Sequence, residues 1–477
     1  MIQTITCKET TAASQPFTSA AKQLDFPALG YVEEEYFFSG TANVYGRVSA
    51  DEMTVLAQDA PYTNRFLVRR PTNPAKASGR VVLEILNTSS LFDIDRVWAL
   101  IHRSLLRNGD TYIGITSKPV TMTTLRKYDP ARYAELSWNN PRHCVLPVRA
   151  LGNFAGMSSP DTEDGLFWDM LTDLALEARQ EPTWLGSVPV KQLYLIGWSQ
   201  SGSDMIVYSN WFVRERVSHG LKNPFDGYLC CAPGPAVCPG LNQEESNMCG
   251  ADTALQFSDV PFIQMHTESE NANLGTHISR RGNTDAPTRR YRIYDIAGAT
   301  HDSYEMMQRY YKDHSEMERI GLYLTYPGAE PNPNDFAYWM AFQAAYRCLC
   351  QWSEAGILPP ATEPIPVRDD LSNEKDASGN AVGGWRLPEI ELPVCVYQQF
   401  CTPLVPGGYA FLYGSEKPYS RTELQKRYGS LANYRKLAEQ AADAAVANRL
   451  LDPADRDECV CHTVSKAKKY GLEEGTL

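Results

Sequence analysis

One stretch constrains the fold of this chain more than any other: residues 192–202, which read QLYLIGWSQSG. An apolar, β-prone run leads directly into Ser199, and the pattern over 203–217 is helical. A strand, a tight turn that carries serine and a helix together make a nucleophile elbow, in which the turn strains the serine backbone and exposes its hydroxyl. The positions around the serine must be small, because larger side chains would make the strand and the helix collide. The small residues here are Gly197, Ser201 and Gly202, with Ser201 standing where the usual pattern has its second glycine.

Short apolar runs alternate with helical patterns before and after this turn. Residues 80–86 form a nearly continuous apolar run, which is typical of a strand buried on both faces. Residues 93–108 have apolar side chains at helical spacing and are followed by Gly109. This alternation predicts an α/β fold with a mostly parallel sheet covered by helices on both faces. The other predicted strands are 31–45, 65–70, 111–116, 192–196, 225–231, 261–266 and 290–296, and further helices are predicted at 164–179 and within 302–356 and 420–451.

The chain of 477 residues is long enough to bury one large core or two smaller ones. Residues 1–26 are polar and aperiodic, which predicts a loose lead-in to a catalytic domain over 27–360. Within that domain, 117–160 loses regular patterning and is rich in Pro, Asn and aromatic residues, as expected of a lid-like insertion. The segment 361–477 is interpreted as a C-terminal extension packed on the catalytic domain.

Charge and hydropathy narrow the classes of partner. The formal net charge is −12 and no long basic block occurs, so nucleic acid is not an expected partner. No apolar run reaches the roughly 18 residues of a membrane span, and no basic segment followed by an apolar stretch marks a secretion signal. These patterns predict a cytoplasmic protein without a membrane partner.

The twelve cysteines are scattered along the chain, which favours free buried thiols over a disulfide framework. Two pairs have C-x-C spacing: Cys348 with Cys350, and Cys459 with Cys461, which is followed by His462. This spacing is tighter than that of the usual zinc loop, so neither pair is predicted to bind a metal.

A serine hydroxyl needs a base, usually histidine, and an acid that fixes the histidine tautomer. His301 is the best-placed of the eight histidines, because it follows the strand 290–296 after four small or polar residues. The strand 261–266 is followed by Thr-Glu-Ser-Glu, so Glu270 and Glu268 are both candidates for the acid. Glu270 is preferred because it lies deeper in the loop, where the chain can turn back toward His301.

Charge that develops on a carbonyl oxygen needs hydrogen-bond donors held in place. The backbone N–H of Gln200, the residue after the serine, is the first candidate. The second is expected from the loop after 80–86, at residues 87–90, and Thr88 is the selected position. The sequence leaves open which N–H of that loop faces the reacting atom.

The chain resembles the alpha/beta hydrolase domain family, and the resemblance covers roughly residues 27 to 470. The segments that carry it, beyond the GWSQS turn, are GYVEEEY at 30–36, SGTA at 39–42, APYT at 60–63, VRRP at 68–71, VLEILN at 82–87, YDPARY at 128–133, AGATH at 297–301 and DASGNAVGG at 376–384. The resemblance implies an α/β-hydrolase fold and hydrolysis of a carboxylic ester without a cofactor. By position it implies that Ser199 is the nucleophile and His301 the histidine. The family often has aspartate where this chain has Glu270.

These observations lead to one main hypothesis: a serine esterase that acts on a small-molecule ester. Two alternatives remain, an acyltransferase that uses the same three residues and a non-catalytic α/β-hydrolase scaffold that binds a small ligand. The oligomeric state is not indicated by the sequence. Aromatic residues that could line a pocket, or equally pack in the core, are Trp138, Tyr304, Tyr310 and Tyr311.

Overall fold

The structure is a computed structural model that describes residues 1–18, 24–142, 158–234, 240–245, 254–272, 276–304, 315–321, 332–399 and 412–474. The chain divides into two compact units by its internal contacts. The first unit comprises Met1–Phe262, Ile278–Tyr291 and Arg309–Leu324. The second comprises Ile263–His277, Arg292–Gln308 and Thr325–Leu477.

Ten strands form the main sheet, and all ten contribute residues to the first unit. Their order is β1-β2-β3-β5-β4-β6-β7-β8-β10-β9. The neighbours β5–β4, β4–β6 and β6–β7 pair in parallel, whereas β1–β2, β2–β3, β3–β5 and β10–β9 pair antiparallel. The strands are β1 Ile2–Lys8, β2 Tyr31–Arg47, β3 Met53–Pro71, β4 Arg80–Ile85, β5 Thr111–Ile115, β6 Gln192–Trp198, β7 Gly227–Cys231, β8 Ser258–Thr267, β9 Thr284–Ala286 and β10 Arg289–Ile296.

The central strands β4 to β7 explain why the sheet holds together. They are buried along almost their whole length, as expected of parallel strands covered on both faces. Leu83 of β4 lies between Ile113 of β5 and Leu195 of β6, so β-branched and leucine side chains fill the core on either side. The predicted runs at 80–86, 111–116 and 192–196 correspond to these strands.

Helices follow most of these strands. The first-unit helices are α1 Arg96–Asn108, α2 Val120–Tyr128, α3 Phe167–Ala178, α4 Gln200–Tyr208, α5 Arg214–Ser218 and α8 Ser315–Ile320, and a π-helical turn, Ser209–Val213, joins α4 to α5. The second unit has α6 Glu268–Ala272, α9 Trp339–Ala355, α10 Pro388–Glu391, α11 Arg421–Tyr428, α12 Leu431–Ala447 and α13 Arg456–Lys469, while α7, Thr276–Ser279, is shared between the units. Short 3-10 turns occur at Pro74–Lys76, Asp164–Leu166, Thr183–Leu185 and Pro453–Asp455.

The second unit also contains a two-stranded sheet, β11 Cys395–Gln398 with β12 Ser415–Pro418. A buried ammonium ties α13 to this region. Lys466 Nζ lies 2.7 Å from Glu389 Oε2 and 2.9 Å from Glu416 Oε1. The other carboxylate oxygen of Glu389 lies 2.6 Å from His462 Nδ1. Each charge of the cluster faces an opposite charge, which offsets part of the cost of burying it.

The termini and connections differ from the sequence-based expectation in two places. Residues Ile2–Lys8, within the expected loose lead-in 1–26, form an edge strand hydrogen-bonded to β2. Polar side chains obscured this strand, because only one edge of it pairs and most of its residues are exposed. The two units also interleave along the chain and do not divide at residue 360. Residues 143–157 of the expected lid-like segment 117–160 lie outside the described residues.

Three further observations bear on compartment and chemistry. No helix among the described residues is long and apolar enough to cross a membrane. Within the same part of the chain, no group of three or more His, Cys, Asp or Glu side chains could hold a metal ion. The cysteines that the structure describes are free, and Cys7 and Cys461 are exposed whereas the other six are buried.

Candidate active site

Ser199 lies in the tight turn between β6 and α4. Its backbone has φ 56° and ψ −117°, a conformation that costs a non-glycine residue on the order of 1–3 kcal/mol. Hydrogen bonds on both sides hold it there: the Ser199 N–H donates to the Cys231 carbonyl at 2.9 Å, and its own carbonyl accepts the Ser203 N–H at 2.9 Å. The strained serine expected from the sequence is therefore present at the carboxyl end of a central parallel strand.

Close backbone contacts explain why the residues around Ser199 are small. A Cβ on Gly197 would lie 2.7 Å from the Ser201 carbonyl oxygen, and one on Gly202 would lie 2.7 Å from the Cys231 carbonyl oxygen. Neither neighbour can move away, because both are main-chain atoms of packed elements. The strand and the helix of the turn can therefore approach each other only through glycine.

Ser201, which replaces the second glycine of the usual pattern, folds back on the turn. Its hydroxyl accepts the Trp198 N–H at 2.9 Å and donates to the Trp198 carbonyl at 3.0 Å. The side chain is completely buried, so these two bonds satisfy a hydroxyl that would otherwise lack partners. Serine at this position thus closes the turn with hydrogen bonds.

The loop after β4 lies against the same turn in the first unit. Asn87 Nδ2 donates to the Trp198 carbonyl at 2.7 Å, and the Thr88 hydroxyl donates to Gln200 Oε1 at 3.0 Å. The Asn87 N–H donates to Ile94 and the Ser89 N–H to Asn87 Oδ1, so both are already used. In the described part of the chain no acceptor is recorded for the Thr88 N–H, and Gln200 begins α4, where helix geometry leaves the N–H without an acceptor.

The second unit holds the histidine and the carboxylate together. His301 Nδ1 lies 2.6 Å from Glu270 Oε1, and both side chains are almost fully buried. Thr267 anchors the carboxylate twice: its N–H donates to Oε2 at 2.5 Å and its hydroxyl to Oε1 at 2.9 Å. The His301 N–H also donates to the Ser269 hydroxyl at 3.3 Å. A carboxylate on Nδ1 favours the tautomer in which Nε2 carries no proton and can act as a base.

Glu268 has different partners from Glu270. Its Oε2 accepts the Gly298 N–H at 2.7 Å, and its Oε1 is bonded by Lys375 and Gln399. Its backbone N–H donates to the Ala299 carbonyl at 3.1 Å. Glu268 therefore fixes the loop that carries His301 to the segment around Lys375, and its carboxylate is not the one against the imidazole.

The predicted site residues thus form two groups. Thr88, Ser199 and Gln200 lie together in the first unit, and Glu270 and His301 lie together in the second. Of the aromatic residues considered for a pocket, Trp138 is completely buried and stacks on Phe167, so it belongs to the core. Tyr310 and Tyr311 lie outside the described residues, and Tyr304 is partly buried.

Two polar residues at these groups escaped the sequence analysis. Thr267 precedes the acidic pair and supplies both anchors of Glu270, a role that its position at the end of β8 could have indicated. Asp204 accepts a hydrogen bond from Gln200 Nε2 at 2.6 Å, and the i, i+4 spacing on α4 was the available signal. Burial raises the pKa of Asp204 to about 7, although Lys118 opposes the shift.

Comparisons with solved structures give distant likenesses. A Pyrobaculum calidifontis esterase is 11% identical with a TM-score of 0.28, and covers 59% of this chain and 81% of its own. A serine hydrolase without a lid from Xanthomonas campestris is 11% identical with a TM-score of 0.27, and covers 54% of this chain and 83% of its own. Esterase B from Lactobacillus rhamnosis is 10% identical with a TM-score of 0.28, and covers 56% of this chain and 74% of its own.

The comparison with family models, unlike these distant likenesses, establishes the family of the chain. Curated proteins yield no match to the sequence. The model of the alpha/beta hydrolase domain, in contrast, matches residues 6–461, which is nearly the whole chain. This match confirms the fold class and the resemblance inferred from the sequence. The chain belongs to the alpha/beta hydrolase domain family.

Proposed function

We propose that this protein is a serine esterase that hydrolyses a small-molecule carboxylic ester. The observation that carries the proposal is the backbone of Ser199, held at φ 56° and ψ −117° between a buried parallel strand and a helix. A structure that only needed a turn here would relieve this strain with glycine. Strain kept at a serine in this position favours a function for its hydroxyl.

The Glu270–His301 pair supplies the base that such a serine needs. With Nδ1 bonded to the carboxylate, His301 Nε2 accepts the Ser199 proton as the hydroxyl oxygen attacks the ester carbonyl. The imidazolium that forms is stabilised by Glu270, and it then protonates the leaving alcohol. A water molecule, deprotonated by the same histidine, releases the acid from the acyl-enzyme. The mechanism requires His301 Nε2 to reach the Ser199 hydroxyl during the reaction.

Two backbone donors are assigned to the oxyanion of the tetrahedral intermediates. These are the N–H of Gln200 at the start of α4 and the N–H of Thr88 in the loop after β4. Each is expected to be worth about 3–4 kcal/mol of the activation barrier, since donors held in place beforehand pay no reorganisation cost. The proposed steps use side chains and backbone N–H groups of the chain itself.

Fluorophosphonate labelling tests the proposal without knowledge of the natural ester. The probe forms a covalent bond with an activated serine, which intact mass and peptide mapping then locate. We expect stoichiometric labelling of the wild type at Ser199 and none in the Ser199→Ala variant. Ser203→Ala is the matched control, because this serine lies one helical turn away and its hydroxyl donates to backbone carbonyls, those of Ser199 and Gly234.

Three outcomes distinguish the readings. Labelling at Ser199, together with release of acid from p-nitrophenyl esters, supports an esterase. Labelling at Ser199, together with products in which an added alcohol or amine carries the acyl group, would indicate an acyltransferase in place of an esterase. A folded wild-type protein that is not labelled would contradict an activated serine and leave a ligand-binding scaffold.

A further inference from the structure

We propose that the side chains of Thr88, Gln200 and Asp204 form a buried hydrogen-bonded chain that sets the distance between the two oxyanion donors. This inference rests on the proposed function and adds three positioning residues to it. These three side chains are distinct from the oxyanion donors, which are the backbone N–H groups of Thr88 and Gln200. Asp204 contributes only through its side chain.

The geometry of the chain is continuous. The Thr88 hydroxyl donates to Gln200 Oε1 at 3.0 Å, and Gln200 Nε2 donates to Asp204 Oδ2 at 2.6 Å. All three side chains are buried, with Asp204 exposed by only 1%. All three residues belong to the first unit. The amide of Gln200 therefore joins the loop after β4 to the first turn of α4.

The partners of the Gln200 side chain fix the orientation of its amide group. Gln200 Nε2 donates to Asp204 Oδ2, which can accept whether the carboxyl is ionised or carries its proton on Oδ1. The amide oxygen then faces Thr88, whose hydroxyl is the donor. Leucine at position 200 could make neither contact. Asp204 Oδ1 has no hydrogen-bond partner in the part of the chain that the structure describes. Within that part, the hydrogen bond from Gln200 to Oδ2 is therefore the one that this buried side chain receives.

The chain matters because two separate elements must present their N–H groups to one oxygen atom. Asn87 already ties the loop to the end of β6 through the Trp198 carbonyl. That bond holds the loop on one side of the turn, and the Thr88–Gln200 bond holds it on the other. With both bonds, the loop is held to the residue before Ser199 and to the residue after it, so the Thr88 N–H is fixed more closely relative to the Gln200 N–H. Displacements of about 1 Å at a reacting group can cost on the order of a hundredfold in rate.

Thr88→Val is the decisive variant, because valine has the shape of threonine and keeps the backbone N–H. We expect kcat/KM for p-nitrophenyl butyrate to fall by about 10- to 100-fold, mainly in kcat, since the donor is misplaced and not removed. Thr88→Ser restores the hydroxyl and should return activity to within about threefold of the wild type. Thr121→Val is the matched control, because the hydroxyl of this buried threonine donates to the Lys118 carbonyl just before its own helix.

A trifluoromethyl ketone provides a readout that simple destabilisation would not change. Its adduct with serine places an oxyanion between the two donors, so Thr88→Val should weaken its inhibition by the same factor as kcat/KM. Thermal unfolding of each variant checks that the protein is folded at the assay temperature. A Thr88→Val protein that keeps kcat/KM within threefold, or that loses activity while its inhibition is unchanged, overturns the inference.

Fluorophosphonate labelling separates this inference from the proposed function. If the wild type is not labelled at Ser199, the proposed function fails and the inference fails with it. If the wild type is labelled and Thr88→Val is labelled at the same rate, only the inference fails. Slower labelling of Thr88→Val than of both Thr88→Ser and Thr121→Val supports both.

Discussion

Glu270→Gln is the substitution that most directly tests the arrangement around His301. In the wild type, each carboxylate oxygen of Glu270 faces a donor: Oε1 faces His301 Nδ1 and the Thr267 hydroxyl, and Oε2 faces the Thr267 N–H. Glutamine replaces one of these oxygens by an NH₂ group, which must then face a donor. The two possible amide orientations do not cost the same.

An NH₂ group at the Oε2 position would meet the Thr267 backbone N–H, which cannot rotate away. At the Oε1 position it would meet the Thr267 hydroxyl, which can turn to accept, and His301 Nδ1, which can accept if the ring changes tautomer. The amide is therefore expected to take the second orientation. The imidazole proton then moves to Nε2, and this nitrogen can no longer accept the Ser199 proton.

The expected loss follows from this tautomer change. A histidine held in the wrong tautomer costs about 10⁴-fold in kcat in a serine protease triad, or about 5.5 kcal/mol of activation free energy. We expect a loss of 10³- to 10⁴-fold for Glu270→Gln on that scale. The loss of stability should be small by comparison, about 1–3 kcal/mol for a weakened buried contact.

The assay is kcat/KM for a p-nitrophenyl ester, measured for wild type, Glu270→Gln and Glu268→Gln. Glu268 is the matched control, since it is an equally buried glutamate two residues away that contacts Gly298, Lys375 and Gln399. Its glutamine variant should lose less than about tenfold, because the imidazole keeps its carboxylate. Activity of Glu270→Gln within tenfold of wild type, or a larger loss for Glu268→Gln, would refute the reasoning.

Three further predictions concern the turn and the second unit. Ser199→Gly should be more stable to urea than Ser199→Ala by about 1 kcal/mol, because the positive-φ strain of about 1–3 kcal/mol that glycine relieves exceeds its extra entropic cost of about 0.5–1 kcal/mol; equal stabilities would mean that the turn is not strained. Gly197→Ala should lower the free energy of unfolding by about 2–3 kcal/mol and abolish esterase activity, since its Cβ would lie 2.7 Å from the Ser201 carbonyl oxygen; an active, stable variant would contradict this contact. Glu389 raises the pKa of His462, so this ion pair stabilises the fold below the unfolded histidine pKa of about 6.5 and its contribution is lost as pH rises through the higher folded pKa. Urea unfolding at several pH values should show this loss, on the order of 1 kcal/mol, in wild type relative to His462→Gln, and parallel curves would argue against it.

The sequence predicts the central sheet and the nucleophile turn because both are local patterns. The strands β4 to β7 are continuous apolar runs, and the small residues around Ser199 follow from contacts within a few positions. The long hairpin β2–β3 was only partly predicted: 31–45 and 65–70 were seen, whereas β3 begins at Met53, where exposed residues carry no burial signal. The helix Arg456–Lys469 was missed because charged residues dominate its sequence.

The carboxylate partner of His301 illustrates what a sequence cannot decide. Glu268 and Glu270 lie two residues apart in one short helix, and both follow the same strand. Thr267 anchors Glu270 locally, but the contacts that assign the two carboxylates their roles come from residues distant in the sequence, such as Lys375 and His301. The Thr88–Gln200 contact is likewise formed between residues 112 positions apart, so no local pattern could have indicated it.

Two of the thiols that the structure describes are exposed and offer one attachment site for a dye on each unit. Cys7 lies on β1 of the first unit and Cys461 on α13 of the second, so a donor and an acceptor dye on them would form a distance gauge. Partial burial and the nearby Glu34 carboxylate raise the pKa of Cys7, so its labelling requires alkaline buffer. The cysteines outside the described residues, Cys144, Cys238, Cys249 and Cys401, would first be replaced by serine. Energy transfer in the doubly labelled protein would then report the distance between a point on the first unit and a point on the second in solution.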